Sequence, residues 1–318
     1  MKSFLSHIMC RRGGFFMYRR SRFYKRNIEQ KINNFLTIIL LLGMVPVFIT
    51  TFRGKLEVAD LLLNRPGKGS DLIETQLPGI VAKQISIHMP KEAIKAQSVI
   101  ARTQVMAAEQ TGEEGPVGFS TVELQELWGD QFDSYYQNLE GLIKETAGKV
   151  IKYQGDYIYA AYHQASAGNT RVMSEYYEKS AMPYLCSVAC HEDSVSNGYL
   201  NVFFWEKEEF LALCKNVFPE ETFTSGEDIE IIKRDSVGYV LQVRVGQTLY
   251  EGEDFRKKLN LPSACFEITL IEEDVRIVTM GRGHGFGLSQ YMAGQLAEEG
   301  KNYQEILQYF YKGVSITE

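Results

Sequence analysis

A chain of 318 residues, 45% apolar and 23% charged, has the material for a folded body with its own core. Its formal net charge of -6 hides an asymmetry: residues 1–32 carry Lys2, Arg11, Arg12, Arg19, Arg20, Arg22, Lys25, Arg26 and Lys31 against Glu29 alone, leaving 25 basic and 39 acidic groups in the rest. A body this acidic is a poor candidate for binding a phosphate backbone. The basic arm alone could read as a nucleic-acid tail, but the apolar run after it argues otherwise, so no nucleic acid is expected among the partners.

The basic arm, residues 1–32, leads into FLTIILLLGMVPVFITTF from Phe35 to Phe52, with no charge between Lys31 and Arg53. A run of about 20 apolar residues spans a bilayer, so residues 33–52 are expected to form a single transmembrane helix, in which Pro46 is tolerable. A signal peptide is the rival reading, but the run is long and no small-x-small cleavage site follows it. The positive charges before the run put the arm in the cytoplasm and the body outside it.

Residues 53–82 read as a linker and first strands, with GIVAKQISIHMP alternating as a strand up to Pro90. A helix then begins at Pro90 or Lys91, carries Ile94, Ala101, Val105 and Ala108 on one stripe, and ends at Thr111–Gly112. Val122–Thr146 reads as one or two helices. Lys149–Gln154 and Tyr157–Tyr162 read as a hairpin around Gly155–Asp156. VSNGYLNVFFWEKEEFLALCKNVF suggests strand into helix, the following segment strands and a short helix, and CFEITLIEEDVRIVTMG a strand pair. Helices from Ser289 to Ala297 and from Tyr303 to Tyr311 close the chain. Helices and hairpins mix without regular βαβ alternation, so the expected class is α+β.

Glu92 lies in the first turn of its helix, in EAIKAQSVIART, where attraction to the helix N-terminus is a sufficient structural reason for a carboxylate. AYHQASAGNT, at 161–170, is a tight polar loop that either lines a groove or merely connects. Cys186, Cys190 and His191, with His163 as a fourth ligand, invite a structural zinc, because zinc sites use Cys-x2–4-Cys pairs. Neighbouring Cys190 and His191 converge only through a turn, and Cys186, Val188 and Cys190 on one side of a strand equally suit buried thiols; a disulfide is a third option. In GRGHGFGLSQYMAGQLAEEG, Gly281, Gly283, Gly285 and Gly287 imply a backbone in close approach to something before a helix begins. No Gly-Lys-Ser/Thr follows and the GxGxxG spacing is absent, which argues against a nucleotide. Ser289 and Gln290 read as an N-cap and first turn. A Ser166 or Ser289 nucleophile paired with His284 lacks an elbow motif.

Together these segments resemble the SpoIID family, stage II sporulation protein D and related lytic transglycosylases. The match falls on Glu92, Lys95, Ala96, Gln97, Ser98, Ala101, Arg102 and Thr103, then on His163, Ser166, Gly168 and Thr170, where Gln164, Ala165 and Ala167 depart from the pattern. It continues through MPYLCSVACHED to Asp193, and through His284, Gly285, Gly287, Ser289, Gln290 and Tyr291, with Met292 where glycine is usual. Ala297, Gly300, Tyr303, Ile306, Leu307, Tyr311 and Gly313 complete it. No cofactor is expected, although some members of the resembled family are described as zinc-containing and a structural zinc stays open at the cysteines. The resemblance implies a catalytic region at 83–318 with Glu92 as the catalytic acid/base. It also implies substrate contacts at Arg102, His163, Ser166, Thr170, His284, Ser289, Gln290 and Tyr291, although Arg102 reads equally well as an ion-pair partner.

The implied reaction cuts the β-1,4 bond between N-acetylmuramic acid and N-acetylglucosamine in peptide-stripped peptidoglycan strands, leaving 1,6-anhydromuramyl ends. Because the sugar's own hydroxyl is the nucleophile, one carboxyl can serve where a hydrolase usually needs two; Asp193, Glu175 and Glu192 are candidates for a second. The implied setting is the mother-cell membrane facing the forespore septum, in an engulfment complex with a membrane-bound amidase and a scaffold protein. The alternative is a glycan-binding or scaffold member with little turnover, prompted by Gln164, Ala165, Ala167 and Met292. The Glu92, His284 and Ser166–Thr170 segments are expected to share one groove.

Overall fold

The first half of the stretch expected to alternate as a strand, residues 79–84, is helical, and residues 85–90 are turn and irregular chain. In the computed structural model, which describes residues 70–177, 182–221, 228–271 and 274–318, α1 (Ser70–Gln84) runs through Pro78. Ile73, Leu77, Ile80 and Val81 recur at helical spacing and are all buried, which outweighs the short alternation in GIVAKQISI. The basic arm, Cys10 and the expected transmembrane segment at 33–52 lie outside the described residues. Among those described, no helix is long and apolar enough to cross a membrane.

The helix expected from Pro90 is α2 (Lys91–Thr111), with Pro90 as N-cap and Gly112 at its end. More than one stripe is covered: Ala93, Ala96, Val99 and Ile100 are buried along with Ile94 and Ala101, so α2 is the central rod of the first core. A capping box between Ser120 and Glu123 opens α3 (Thr121–Trp128). A tight turn at Gly129–Gln131 joins it to α4 (Phe132–Glu145).

The hairpin forms with its turn one residue earlier than expected. In β1 (Val150–Tyr153) and β2 (Asp156–Tyr157), Tyr153 pairs with Asp156, so the turn is Gln154–Gly155. Both turn residues have positive φ, 53° and 98°, as a two-residue turn matched to the strand twist requires.

Next come β3 (Tyr162–His163), the single turn α5 (Met173–Tyr176), β4 (Leu200–Glu206) and α6 (Lys207–Val217). Then follow β5 (Ile229–Arg234), β6 (Val240–Val245), β7 (Thr248–Glu251) and α7 (Gly252–Lys258). The strand pair β8 (Phe266–Ile271) and β9 (Asp274–Met280) precedes β10 (Leu288–Ser289). The last elements are α8 (Gln290–Glu298), α9 (Tyr303–Phe310) and β11 (Ser315–Thr317).

Antiparallel sheets run in the orders β11-β1-β2, β4-β9-β8 and β5-β6-β7, while β3 and β10 make a short parallel pair. This mixture of helices and mainly antiparallel strands is the expected α+β pattern. The helices α1, α4, α8 and α9 pack around α2. A second core, with Phe210, Phe218, Phe255, Phe266 and Ile277, lies among the β4-β9-β8 and β5-β6-β7 strands and α6 and α7. Phe255 stacks between Phe218 and Phe266 there.

Candidate active site

Glu92 sits where α2 begins, half-buried, with its side chain 28% exposed. One carboxylate oxygen, Oε1, accepts from Lys95 Nζ at 2.6 Å, and Oε2 accepts the backbone N–H of Tyr303 at 2.8 Å. The second bond comes from the first residue of α9, whose opening is fixed by a capping box between Asn302 and Glu305. Lys95 is shared: its ammonium also lies 2.5 Å from Glu145 Oε2, at the end of α4. The two carboxylates hold the Lys95 proton more tightly than usual, outweighing the cost of burial. Glu145, which no sequence motif marks, is therefore tied to Glu92 through a shared partner. Glu175 instead accepts the Ser236 N–H at 2.7 Å, and Glu192 is exposed.

The 161–170 and 281–291 segments close on each other. Arg282 and Ala165 exchange backbone hydrogen bonds, Leu288 N–H donates to Ala161 O, and Tyr291 N–H donates to Gln164 O. Fully buried Asp193 clamps the pair: Oδ2 accepts Ser166 N–H at 2.6 Å, and Oδ1 accepts the Ser289 hydroxyl at 2.8 Å. Ser289 in turn accepts Met292 N–H at 3.3 Å as the N-cap of α8. Burial pushes the Asp193 carboxyl above the usual carboxylate range despite these donors.

The glycines of GRGHGFG approach the protein's own chain. A Cβ on Gly285 would meet the Tyr239 ring at 2.6 Å, and one on Gly287 would meet Ala161 O at 1.9 Å. Both adopt positive φ, 80° and 70°, so glycine is required there twice over. By contrast, Ala167 is absent from the positive-φ residues, and its N–H donates to the Tyr239 hydroxyl at 3.0 Å. Met292 is buried in α8 against the first core. Both departures from the resembled pattern fit without backbone strain.

Arg171 holds this loop to the second core. Fully buried, it donates from Nε to Asp235 at 2.6 Å and from Nη1 to Glu253 and to His284 O, each at 3.2 Å. Its guanidinium lies 4.5 Å from the Phe286 ring centre and 4.7 Å from that of Tyr239. Its backbone N–H donates to Gly285 O.

The two histidines stay neutral. Burial, reinforced by His284, lowers His163 to about 3, while burial with Arg256 and Arg171 nearby lowers His284 to about 4. Nδ1 of His163 faces Phe286 O at 3.0 Å and so carries the proton; Nδ1 of His284 accepts Phe286 N–H at 3.1 Å and so does not. The Ser289 hydroxyl is bonded to Asp193, and among the described residues no hydrogen bond joins Ser166 or Ser289 to either histidine.

A stability consequence follows from these shifts. Unfolded histidines take up protons below about 6.5, whereas the folded pair refuses them until about 3 and 4. Stability should therefore fall as pH drops through that window, by up to about 1.4 kcal/mol per pH unit for each histidine. Asp193, raised by burial, has the opposite sign and only blunts the slope. Thermal unfolding from pH 7 to pH 4.5 should show a shallower loss in His163→Gln; an identical slope would refute a neutral buried His163.

Several residues expected to touch substrate are committed to the fold. Arg102 is buried and forks onto both Glu74 oxygens, at 2.6 and 3.0 Å, while also donating to Lys149 O. That is the ion-pair alternative, with the partner on α1. Buried Thr170 bonds Cys186 O and Val188 N–H, and Ser166 and His163 are buried in the clamped loops. Gln290 donates to Gln84 O and Gln97 Oε1; Gln97 continues to Gln84 and Gln84 to Gln104, an amide ladder that is buried at Gln97 and Gln290 and half-buried at Gln84 and Gln104. These residues support the site from behind. Glu92, His284 and Tyr291 are the half-buried members of the expected set.

The loops thus come together, but among the described residues no hydrogen bond or ion pair joins either of them to Glu92. The link runs along α2: Gln97, about 8 Å along the axis from Glu92, meets Gln290 next to Ser289.

Among the described residues, no group of three His, Cys, Asp or Glu side chains is placed to hold a metal ion. Cys190 is buried and His191 exposed, so the zinc grouping does not converge. Cys186, Cys190, Cys214 and Cys265 are free thiols, and burial pushes Cys214 to about 12 and Cys265 to about 11.

The sequence that builds this α+β body has known relatives. The family model described as "Stage II sporulation protein" (SpoIID) matches residues 72–153, from α1 to the end of β1, which hold Glu92, Lys95 and Glu145. The chain is 31% identical over 262 residues to stage II sporulation protein D of Bacillus subtilis (strain 168), covering 77% of this chain and 74% of that protein. The corresponding protein of Bacillus amyloliquefaciens is 29% identical over 269 residues, with the same coverage of 77% and 74%. The amidase enhancer of Bacillus subtilis is 25% identical over 291 residues, covering 76% of this chain but 40% of its own length. The chain belongs to the SpoIID family.

Proposed function

We propose that this protein is a peptidoglycan lytic transglycosylase that acts during sporulation, with Glu92 as its acid and base. The observation that carries the reading is the half-buried Glu92 carboxylate, held at the mouth of α2 by Lys95 and by the N-terminus of α9. The Glu92 carboxyl donates its proton to the glycosidic oxygen as the C1–O bond breaks. It then takes the proton of the muramyl 6-hydroxyl, whose oxygen bonds to C1 to give the 1,6-anhydro ring. No water enters, so a second catalytic carboxylate is not needed. Lys95 has an alternative partner in Glu145, which lets it release Oε1 to the substrate without losing its own countercharge.

The basic arm and apolar segment at 33–52 support a single-pass anchor with the described body outside the cytoplasm. Similarity to stage II sporulation protein D supports a place in septal wall remodelling and engulfment at the mother-cell membrane. Similarity to an amidase enhancer supports an amidase as a partner. In the proposed reading that amidase is membrane-bound, acts alongside a scaffold protein and supplies the peptide-stripped strands. The scaffold-only alternative loses much of its motive because Ala167 and Met292 are accommodated without strain.

Mass spectrometry of peptide-free glycan incubated with the full chain tests the reaction. Anhydromuramyl ends are expected. New reducing ends would make it a hydrolase, and intact strands would leave it a binding protein.

A further inference from the structure

His88, four residues before Glu92 in the chain, touches a row of rings that the mechanism above does not use. Trp128, Phe132, Tyr135 and Tyr136 fall at successive turns of α3, the Gly129–Gln131 turn and α4, and so share one side of that rod. Trp128 meets Tyr135 edge-on at 5.9 Å and Phe132 at 6.3 Å, while Phe132 meets Tyr136 at 5.4 Å. Exposed His88 closes the row edge-on against Tyr135 at 5.3 Å. All four larger rings are half-buried, and Trp128 anchors the row on the first core. The exposed polar side chains Asp130, Gln131 and Asp133 interrupt it at the turn.

We propose that this row is a sugar-stacking subsite for the glycan strand adjoining Glu92. His88 precedes Glu92 by four residues, which bounds the two to within about 14 Å of chain. A strand lying across Glu92 therefore has its neighbouring sugars within reach of the row. Pyranose rings present apolar C–H faces that match aromatic faces, and their hydroxyl and acetamido groups need hydrogen-bond partners at the edge. Rigid rings with a few polar groups at the rim meet both needs at low entropic cost. Of the two sugars, N-acetylglucosamine is the uncharged one, whereas a peptide-stripped N-acetylmuramic acid carries a lactyl carboxylate. The exposed Asp130 and Asp133 at the rim therefore favour seating N-acetylglucosamine on the row. The inference rests on glycan being the substrate, as proposed above.

The test uses the chain's two tryptophans. Trp205→Phe leaves Trp128 as the sole reporter, and Glu92→Gln in the same protein removes cleavage. Titration with peptide-free glycan oligosaccharides should give a saturable change in Trp128 emission. Phe132→Ala with Tyr135→Ala should weaken binding about tenfold or more, the scale of losing a stacked aromatic anchor. In the cleaving enzyme that loss should appear in KM more than in kcat, and Tyr135→Phe should restore most of it if the ring face is what binds. No emission change, or unchanged affinity in the double-alanine protein, overturns the subsite. Should wild type fail to cleave while Trp128 still responds, the proposed reaction falls and the subsite stands. Cleavage without a Trp128 response has the reverse meaning.

Discussion

Glu92→Gln should lower glycan cleavage by about 10²–10⁴-fold, the usual contribution of a general acid–base group. The substitution is suited to separating catalysis from architecture. A glutamine keeps the side-chain length, and its oxygen can still accept the Tyr303 N–H that Oε2 accepts at 2.8 Å. Lys95 loses one carboxylate but keeps Glu145 at 2.5 Å. Stability should therefore change by no more than the value of a partly exposed pair, about 1 kcal/mol or less. The structural alternative, in which Glu92 only braces the start of α2 and the opening of α9, predicts the opposite: a small effect on turnover, with any loss appearing in stability. Turnover on peptide-free strands, measured alongside thermal unfolding, separates them. More than about a tenth of wild-type turnover would remove Glu92 from the chemistry.

Local pattern made much of the fold legible. The limits of α2, the passage from β4 into α6, the β8–β9 pair and the N-cap at Ser289 depend on signals that lie within each segment. The misreadings have equally local causes. GIVAKQISI alternates over a few residues, and the helical set Ile73, Leu77, Ile80 and Val81 that overrides it begins before that window. The hairpin turn slipped by one because Gln154 takes a positive φ that is uncommon for its type.

In the site, the glycine run correctly signalled close approach. What it approaches, Tyr239 and Ala161, depends on tertiary placement that no spacing encodes. Matching a family pattern marked Ser166, Thr170 and Ser289 without saying whether they face a ligand or the core. Buried positions shared with a family are explained as readily by an Asp193 clamp as by substrate contact. Glu145 and Arg171 escaped notice for the same reason: their partners are set by packing between distant segments.

Arg171→Met should be among the most destabilising single changes in the described body, at about 3–5 kcal/mol, the range for removing one member of a buried ion pair. Asp235, its side chain 1% exposed, would lose the guanidinium at 2.6 Å. Oδ1 would still accept Tyr239 N–H at 2.8 Å, but Oδ2 would have lost its charged partner. Glu253 would suffer less, because Arg256 remains bonded to it at 2.9 Å. The His284 carbonyl would lose its Nη1 donor, and the stack of the guanidinium on Phe286 and Tyr239 would be replaced by a thioether that fills space without charge. Lysine should rescue little, since a single ammonium cannot reproduce a fork that reaches Asp235, Glu253 and His284 O together. Asp235→Asn in the Arg171→Met background should recover part of the loss, because it removes the stranded charge while keeping an oxygen for Tyr239. Urea unfolding of the four proteins in that cycle gives the coupling directly. A loss below about 1 kcal/mol for Arg171→Met, or no recovery with Asp235→Asn, would mean that the buried pair does not hold the glycine loop to the second core.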